Sequence, residues 1–172
     1  MDLQMNGKTA LVTGASAGIG KAIAFALARE GVDVAICARR QGPLEAAASQ
    51  IARETNRKIV AIPADLTKPA DAEGFVKEAH TALGRVDILV NNAGSSPGGV
   101  LEFLTEEHWA QSLQLKFMGY VRCLKHVLPI MQTRSRPKST LPPPIPSGFA
   151  AAPVAHRKAA FRRGSAPSPV RR

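Results

Sequence analysis

Thr9-Ala10-Leu11-Val12-Thr13-Gly14-Ala15-Ser16-Ala17-Gly18-Ile19-Gly20 is the stretch whose reading decides the fold. An apolar strand, residues 8–13, runs into a turn with glycine at 14, 18 and 20. The turn leads directly into a stretch of helical character, residues 21–30. Glycine permits a tight strand-to-helix reversal and lets backbone approach a ligand closely. The helix start then offers unpaired N–H groups and the positive end of its dipole, which together suit a phosphate.

Outward from this turn the pattern repeats. Ile19, Ala22, Ile23, Ala26 and Leu27 recur at helical spacing and predict one apolar face, with Gly31 ending the helix. Residues 32–38 (VDVAICA) predict a second strand, apolar almost throughout, as in a parallel sheet covered on both faces. Leu44, Ala47, Ala48 and Ile51 mark a second helix, and residues 58–63 (KIVAIP) a third strand. Phe75, Val76, Ala79 and Leu83 mark a third helix, closed by Gly84, and residues 86–90 (VDILV) a fourth strand. After Asn91-Asn92-Ala93-Gly94 and a glycine-rich loop, Thr105 reads as an N-cap with Glu106 and Glu107 behind it. One long helix is expected from about 106 to 132, with Leu113, Phe117, Val121, Leu124, Leu128 and Met131 as its apolar set. Pro129 is expected to kink or shorten it. Strands and helices in this alternation predict right-handed βαβ crossovers and a doubly wound parallel α/β sheet, Rossmann-like, cut off after about four strands. In such a sheet residues 14–20, Arg39, Asp65 and 91–94 all meet at the C-terminal strand edge, where the ligand crevice lies.

The totals bound the answer. A chain of 172 residues fits one domain with a core of its own. No apolar run reaches the ~18 residues that span a bilayer, and the first eight residues have no signal-peptide pattern. Cys37 and Cys123 offer no disulfide framework and read as buried thiols, so a cytoplasmic protein is expected. His80, His108, His126 and His156 form no metal-binding spacing, and no metal site is expected. The net charge of +10 is unevenly placed: residues 1–133 carry +1, whereas residues 134–172 carry +9 with no acidic residue. That second stretch also holds eight of the 13 prolines and has no periodicity. It cannot bury enough apolar surface to offset its ordering entropy, so a dinucleotide-binding domain over 1–133 and a disordered basic tail over 134–172 are expected.

Residues 5–133 resemble the short-chain dehydrogenase/reductase family. The turn at 13–20 fits its Thr-Gly-x-x-x-Gly-x-Gly pattern, Asn91-Asn92-Ala93-Gly94 its second signature, and Asp65-Leu66 a third position after the third strand. The resemblance implies an NAD(P)-binding Rossmann domain. Gly14, Ser16, Gly18, Ile19 and Gly20 would hold the pyrophosphate; Asp65 and Leu66 would lie at the adenine, and Asn91, Ala93 and Gly94 near a ribose. An NAD-preferring site places an acid at the end of the second strand. Here Ala38 is followed by Arg39 and Arg40, a pair suited to a 2′-phosphate, so NADP is expected over NAD with Arg39 leading. Ala17, by contrast, adds no basic residue inside the turn.

The family's catalytic set is expected to be absent. It needs a Tyr with a Lys four residues on, a Ser on the preceding strand, and an Asn on the long helix. The single tyrosine, Tyr120, is followed by Leu124, and Lys116 stands at the position for the Asn. An unassisted phenol titrates near ~10 and is a poor proton donor or acceptor at neutral pH. No catalytic residue is therefore assigned, and no substrate can be read. One hypothesis for the abrupt change at 134 is an out-of-frame translation. If neither other frame of the DNA restores a strand ending in Ser and a Tyr-x-x-x-Lys helix, that hypothesis fails. A sheet stopping at strand 4 is expected to be marginally stable.

Three functions remain open at this point. The first is an oxidoreductase by descent, inactive as written. The second is a non-catalytic dinucleotide-binding or decoy subunit, pairing with a copy or an intact relative through helix 106–132. The last is a nucleic-acid or acidic-surface binder acting through the tail, whose two aromatics, Phe149 and Phe161, offer little base stacking.

Overall fold

The computed structural model describes residues 3–96 and 98–135. Four parallel strands, β1 (Thr9–Thr13), β2 (Asp33–Ala38), β3 (Ile59–Pro63) and β4 (Ile88–Val90), lie side by side in the order β3-β2-β1-β4. Three crossover helices join them: α1 (Gly18–Arg29), α2 (Gln41–Thr55) and α3 (Pro69–Leu83). Val12 sits in register with Ile36 on one side and Val90 on the other. The chain moves outward from β1 to β3, then returns across β1 to place β4. That reversal opens a crevice at the C-terminal end of β1.

Alternation along β1 sends Leu11 and Val12 to opposite faces. Leu11 joins Phe75, Val76, Cys123 and Val127 in one buried cluster. Val12 joins Ile36, Leu44, Ile51 and Ala24 in the other. Both faces of the sheet are thus covered, which is why β1 and β2 read as nearly unbroken apolar runs. Asn56 (φ 53°) and Gly84 (φ 74°) close α2 and α3.

The helices correct three expectations. First, α1 buries Gly20, Ala24 and Ala28, while Ile19 is 74% exposed. Small residues four apart let the helix lie close to the sheet, and Ile23 and Leu27 pack only partly at the margin. Second, the expected single helix 106–132 is α4 (Glu106–Leu113), a π-helical turn (Gln114–Met118) and α5 (Gly119–Ser135) in succession. It runs through Pro129 and takes in Arg134 and Ser135, two residues expected in the tail. The rest of that expected tail, 136–172, lies outside the described residues. Third, the apolar set faces the wrong way. Ser112, Gly119, Cys123 and Val127 are buried, whereas Leu113 and Phe117 are 59% and 62% exposed. Val121, Leu124 and Leu128 are exposed as well, and only Met131 of the set packs on the core. The π turn adds residues to one helical turn and so shifts the phase of the repeat. Glycine at 119 then brings this helix against Leu66.

The approach to β4 is pinned by charge. Asp87 accepts from the Thr9 N–H (2.9 Å) and pairs with Arg85, whose carbonyl accepts from Thr9 Oγ1 (2.8 Å). Burial pushes the Asp87 carboxyl up, but Arg85 and the Thr9 N–H together outweigh it and hold it below the ordinary value. With the folded value depressed, the stabilisation is complete above the unfolded value near ~4 and is lost as pH falls through the folded one. Asp87→Asn should cost about 1–2 kcal/mol at pH 7. It should also flatten the loss of stability below pH ~4. Urea midpoints at neutral and acid pH, compared between variant and parent, check both.

Candidate nucleotide-binding site

The crevice is built around one buried threonine. Thr13 Oγ1 accepts from the N–H groups of Asn92 (2.9 Å) and Ala93 (3.0 Å) and donates to the Val90 carbonyl (3.3 Å). Asn92 answers: its Nδ2 donates to the carbonyls of Thr13 (2.9 Å) and Gly14 (3.3 Å). The turn after β4 is therefore knotted to the turn after β1. This contact excludes any side chain at two positions. A Cβ on Gly14 would lie 2.7 Å from Ala93 Cα, and one on Gly20 would lie 2.4 Å from both Asn92 Nδ2 and the Gly14 carbonyl oxygen. Asn92→Ala removes both of its side-chain bonds and should cost about 2 kcal/mol, measurable as a lower urea midpoint.

Beside the knot lies a cleft of about 490 Å³. Gly14 and Ser16 line it from the first turn, Ala38, Arg39 and Arg40 from the end of β2, and Ala93 and Gly94 from the turn after β4. The N-terminus of α1 meets the same turn. It has neither a side-chain cap nor an acidic residue in its first turn, so its dipole is open to an anion. A phosphate suits such donors, glycine contours that admit it and nearby cations; Gly14, Arg39 and Arg40 line this cleft, and α1 begins two residues beyond Ser16 of the same lining.

Of the residues singled out from sequence, Gly14, Ser16, Arg39, Leu66, Ala93 and Gly94 line the cleft. Gly18 and Ile19 stand exposed at the start of α1, and Gly20 is buried beneath the turn. Asp65 and Asn91 are outside the lining. Asp65 Oδ1 accepts from the Thr67 hydroxyl (2.7 Å) and N–H (3.1 Å). The hydroxyl bond leads in holding this carboxyl below its usual range; the Thr67 N–H and the charges of Lys68 and Arg39 assist, against burial. The Asn91 side-chain oxygen is buried without a hydrogen-bond partner.

Sequence reasoning missed Cys37, Ala64, Ser95 and Leu115, which also line the cleft. The strand-end rule that picked out Arg39 covers Cys37 and Ala64 equally. Leu115 is carried in by the π turn, which leaves no mark in the apolar pattern. Burial, with the neighbouring Cys123 adding to it, pushes the Cys37 thiol far up; burial pushes Cys123 to about 11. Both are inert thiols at neutral pH.

A doubly wound parallel sheet with a glycine turn over its first crossover helix defines a dinucleotide-binding domain of Rossmann type. The chain belongs to the short-chain dehydrogenase family, whose profile, described as "short chain dehydrogenase", matches residues 8–138. It is 37% identical over 125 residues to the 3-oxoacyl-[acyl-carrier-protein] reductase FabG of Staphylococcus epidermidis, covering 72% of this chain and 51% of that protein. Among solved structures, L-sorbose reductase from Gluconobacter frateurii complexed with NADPH and L-sorbose superposes with a TM-score of 0.74 at 32% identity, over 78% of this chain and 51% of that one. NAD+-bound xylitol dehydrogenase gives 0.72 at 31% identity, over 76% and 50%. This chain thus spans about half the length of these relatives. No helix among the described residues is long and apolar enough to cross a membrane.

Proposed function

We propose that this chain binds a nicotinamide dinucleotide, NADP(H) in preference to NAD(H), as the cofactor-binding half of a short-chain dehydrogenase/reductase, and transfers no hydride by itself. The observation that carries the reading is the Thr13–Asn92 knot. It holds the glycine turn and the open end of α1 against one cleft, with two arginines at its far rim. Both cofactors occur among the structural relatives, NADPH with the sorbose reductase and NAD+ with the xylitol dehydrogenase. Arg39 and Arg40 at the end of β2 favour the phosphorylated form. A bound nicotinamide supplies the hydride donor or acceptor. This chain's residues supply the phosphate seat, the adenine wall and the loop after β4. Tyr120, the chain's single tyrosine, is half-buried on α5 and does not line the cleft, which supports the non-catalytic half of the reading.

The test has two parts. Titration with NADPH should enhance its fluorescence. A carbonyl substrate added to that complex should cause no NADPH oxidation; turnover would overturn the non-catalytic half of the reading. The two unpaired thiols fit a reducing compartment such as the cytoplasm.

The exposed stripe on α4, the π turn and α5 favours a pairing role as well. Leu113, Phe117, Val121, Leu124 and Leu128 form a continuous apolar face that suits a second copy or an intact relative. Phe117→Lys combined with Val121→Lys should shift the chain toward monomer in sedimentation velocity. An unchanged distribution would remove the pairing role.

A further inference from the structure

Two cations on the long helical rod each hold one wall of the cleft. Arg122, half-buried on α5, donates from Nη1 to the Leu66 carbonyl (3.0 Å) and the Gln114 carbonyl (3.2 Å), and from Nη2 to Gln114 Oε1 (2.8 Å). Gln114 opens the π turn, and its carbonyl also takes the Gly119 N–H that closes the turn. Arg122 therefore ties the wide turn to the loop after β3. Lys116 lies six residues earlier, inside the same turn. Its stem covers Gly94, where a Cβ would meet Lys116 Cγ and Cε at 3.2 Å, and its Nζ donates to Ser96 Oγ. Ser112 adds a bond from Oγ to the Ser95 carbonyl (3.0 Å). Leu66 and Gly94 line the cleft, and so does Leu115, which the π turn carries.

We propose that Arg122 and Lys116 are positioning residues that brace the cleft from outside. Arg122 fixes the Leu66 loop on the adenine side, Lys116 fixes residues 94–96 on the opposite side, and the π turn between them sets the span. A straight α-helix would place these side chains and Leu115 in a different phase. The guanidinium suits its post because two nitrogens of one planar fork span three acceptors, a spread that the single ammonium nitrogen of a lysine does not match. The lysine suits its own because a flexible stem lies flat on a glycine while its head reaches a hydroxyl. The consequence for ligands rests on the dinucleotide reading; the brace itself does not.

The experiment uses the full chain, Arg122→Met and Lys116→Met, with 2′,5′-ADP and NADPH as probes. Arg122→Met should weaken 2′,5′-ADP about tenfold, the worth of one or two lost hydrogen bonds at a positioned loop. Arg122→Lys should recover little of this. Lys116→Met should leave 2′,5′-ADP within about twofold while weakening NADPH about fivefold, since only the far loop relaxes. Amide exchange without ligand gives an independent reading. Thr67 and Lys68, whose N–H groups donate to Asp65, should exchange faster in Arg122→Met alone. Asn92 and Ala93, held by Thr13, should exchange faster in Lys116→Met alone. Equal losses for both variants on both probes, tracking melting temperature, would overturn the brace, as would unaltered exchange in both loops. If the parent chain binds neither nucleotide, the dinucleotide reading fails and the exchange pattern still decides the brace. If Arg122→Met does not fold, Arg122→Gln is read in the same way.

Discussion

Gly14→Ala should destabilise the chain by about 3 kcal/mol or more and abolish measurable nucleotide binding. Two costs add. At φ +69° an alanine pays the left-handed penalty of roughly 1–2 kcal/mol. Its methyl would also sit 2.7 Å from Ala93 Cα and 3.1 Å from Ala93 N, and backbone cannot swing aside as a side-chain tip can. Forcing such an overlap costs about 1–3 kcal/mol more. The displaced backbone is the one Thr13 and Asn92 hold, so the strain falls directly on the cleft. Gly18→Ala is the control. Its φ is +57°, but nothing lies within 4 Å of the new methyl. It should lose only about 1 kcal/mol of stability. It should nevertheless weaken NADPH, because the free space at the start of α1 is where the proposed phosphate approaches. Urea unfolding and fluorescence titration of the two variants provide the comparison. Equal destabilisation of both, or an unmoved midpoint for Gly14→Ala, would contradict the argument.

The same contrast shows what the sequence could and could not reveal. The parallel strand–helix alternation and the convergence of the glycine turn, Arg39 and residues 91–94 were legible because they follow from topology. A buried parallel sheet needs apolar strands, and its crossovers send every strand's C-terminal end to one side. The ends of the strands were read to within two residues for the same reason. Thr13 was legible only as part of a pattern. Its role as acceptor for two N–H groups and donor to a third residue depends on a neighbour 79 residues away. Asn92 is similar: as a turn residue it is unremarkable, and its amide becomes informative only when the Gly14 carbonyl is beside it. The long helix misled because it is apolar on two faces. Periodicity weights Leu113 and Phe117 by size, whereas the sheet selected the side with Gly119 and Cys123, which allow close approach. No local signal announces the π turn, although it decides which residues of the rod reach the cleft.

Arg39→Ala combined with Arg40→Ala should weaken NADPH about a hundredfold and NADH by about threefold or less. Both arginines line the cleft at the end of β2 and both are exposed, so neither is held by the fold for structural reasons. A hydrogen bond from a guanidinium to a phosphate contributes about 1.5–3 kcal/mol, and the 2′-phosphate is the only group that separates the two cofactors. Asp65 tempers the effect. Its carboxyl stays ionised close to Arg39 and Lys68, bound first by the Thr67 hydroxyl, and it offsets part of the positive field at that rim. The remaining preference should behave as electrostatics requires. It should shrink as ionic strength rises, because the Debye length falls to about 3 Å at 1 M salt. It should shrink again as pH drops through about 6, where a phosphate monoester gains its second proton and loses a charge. Competition titrations of NADPH against NADH at two salt concentrations and two pH values measure all three effects. Equal losses for the two cofactors would show that the arginines hold something common to both. The preference for the phosphorylated form would then lose the arginines it is argued from, and Ala17 supplies no cation within the turn to replace them.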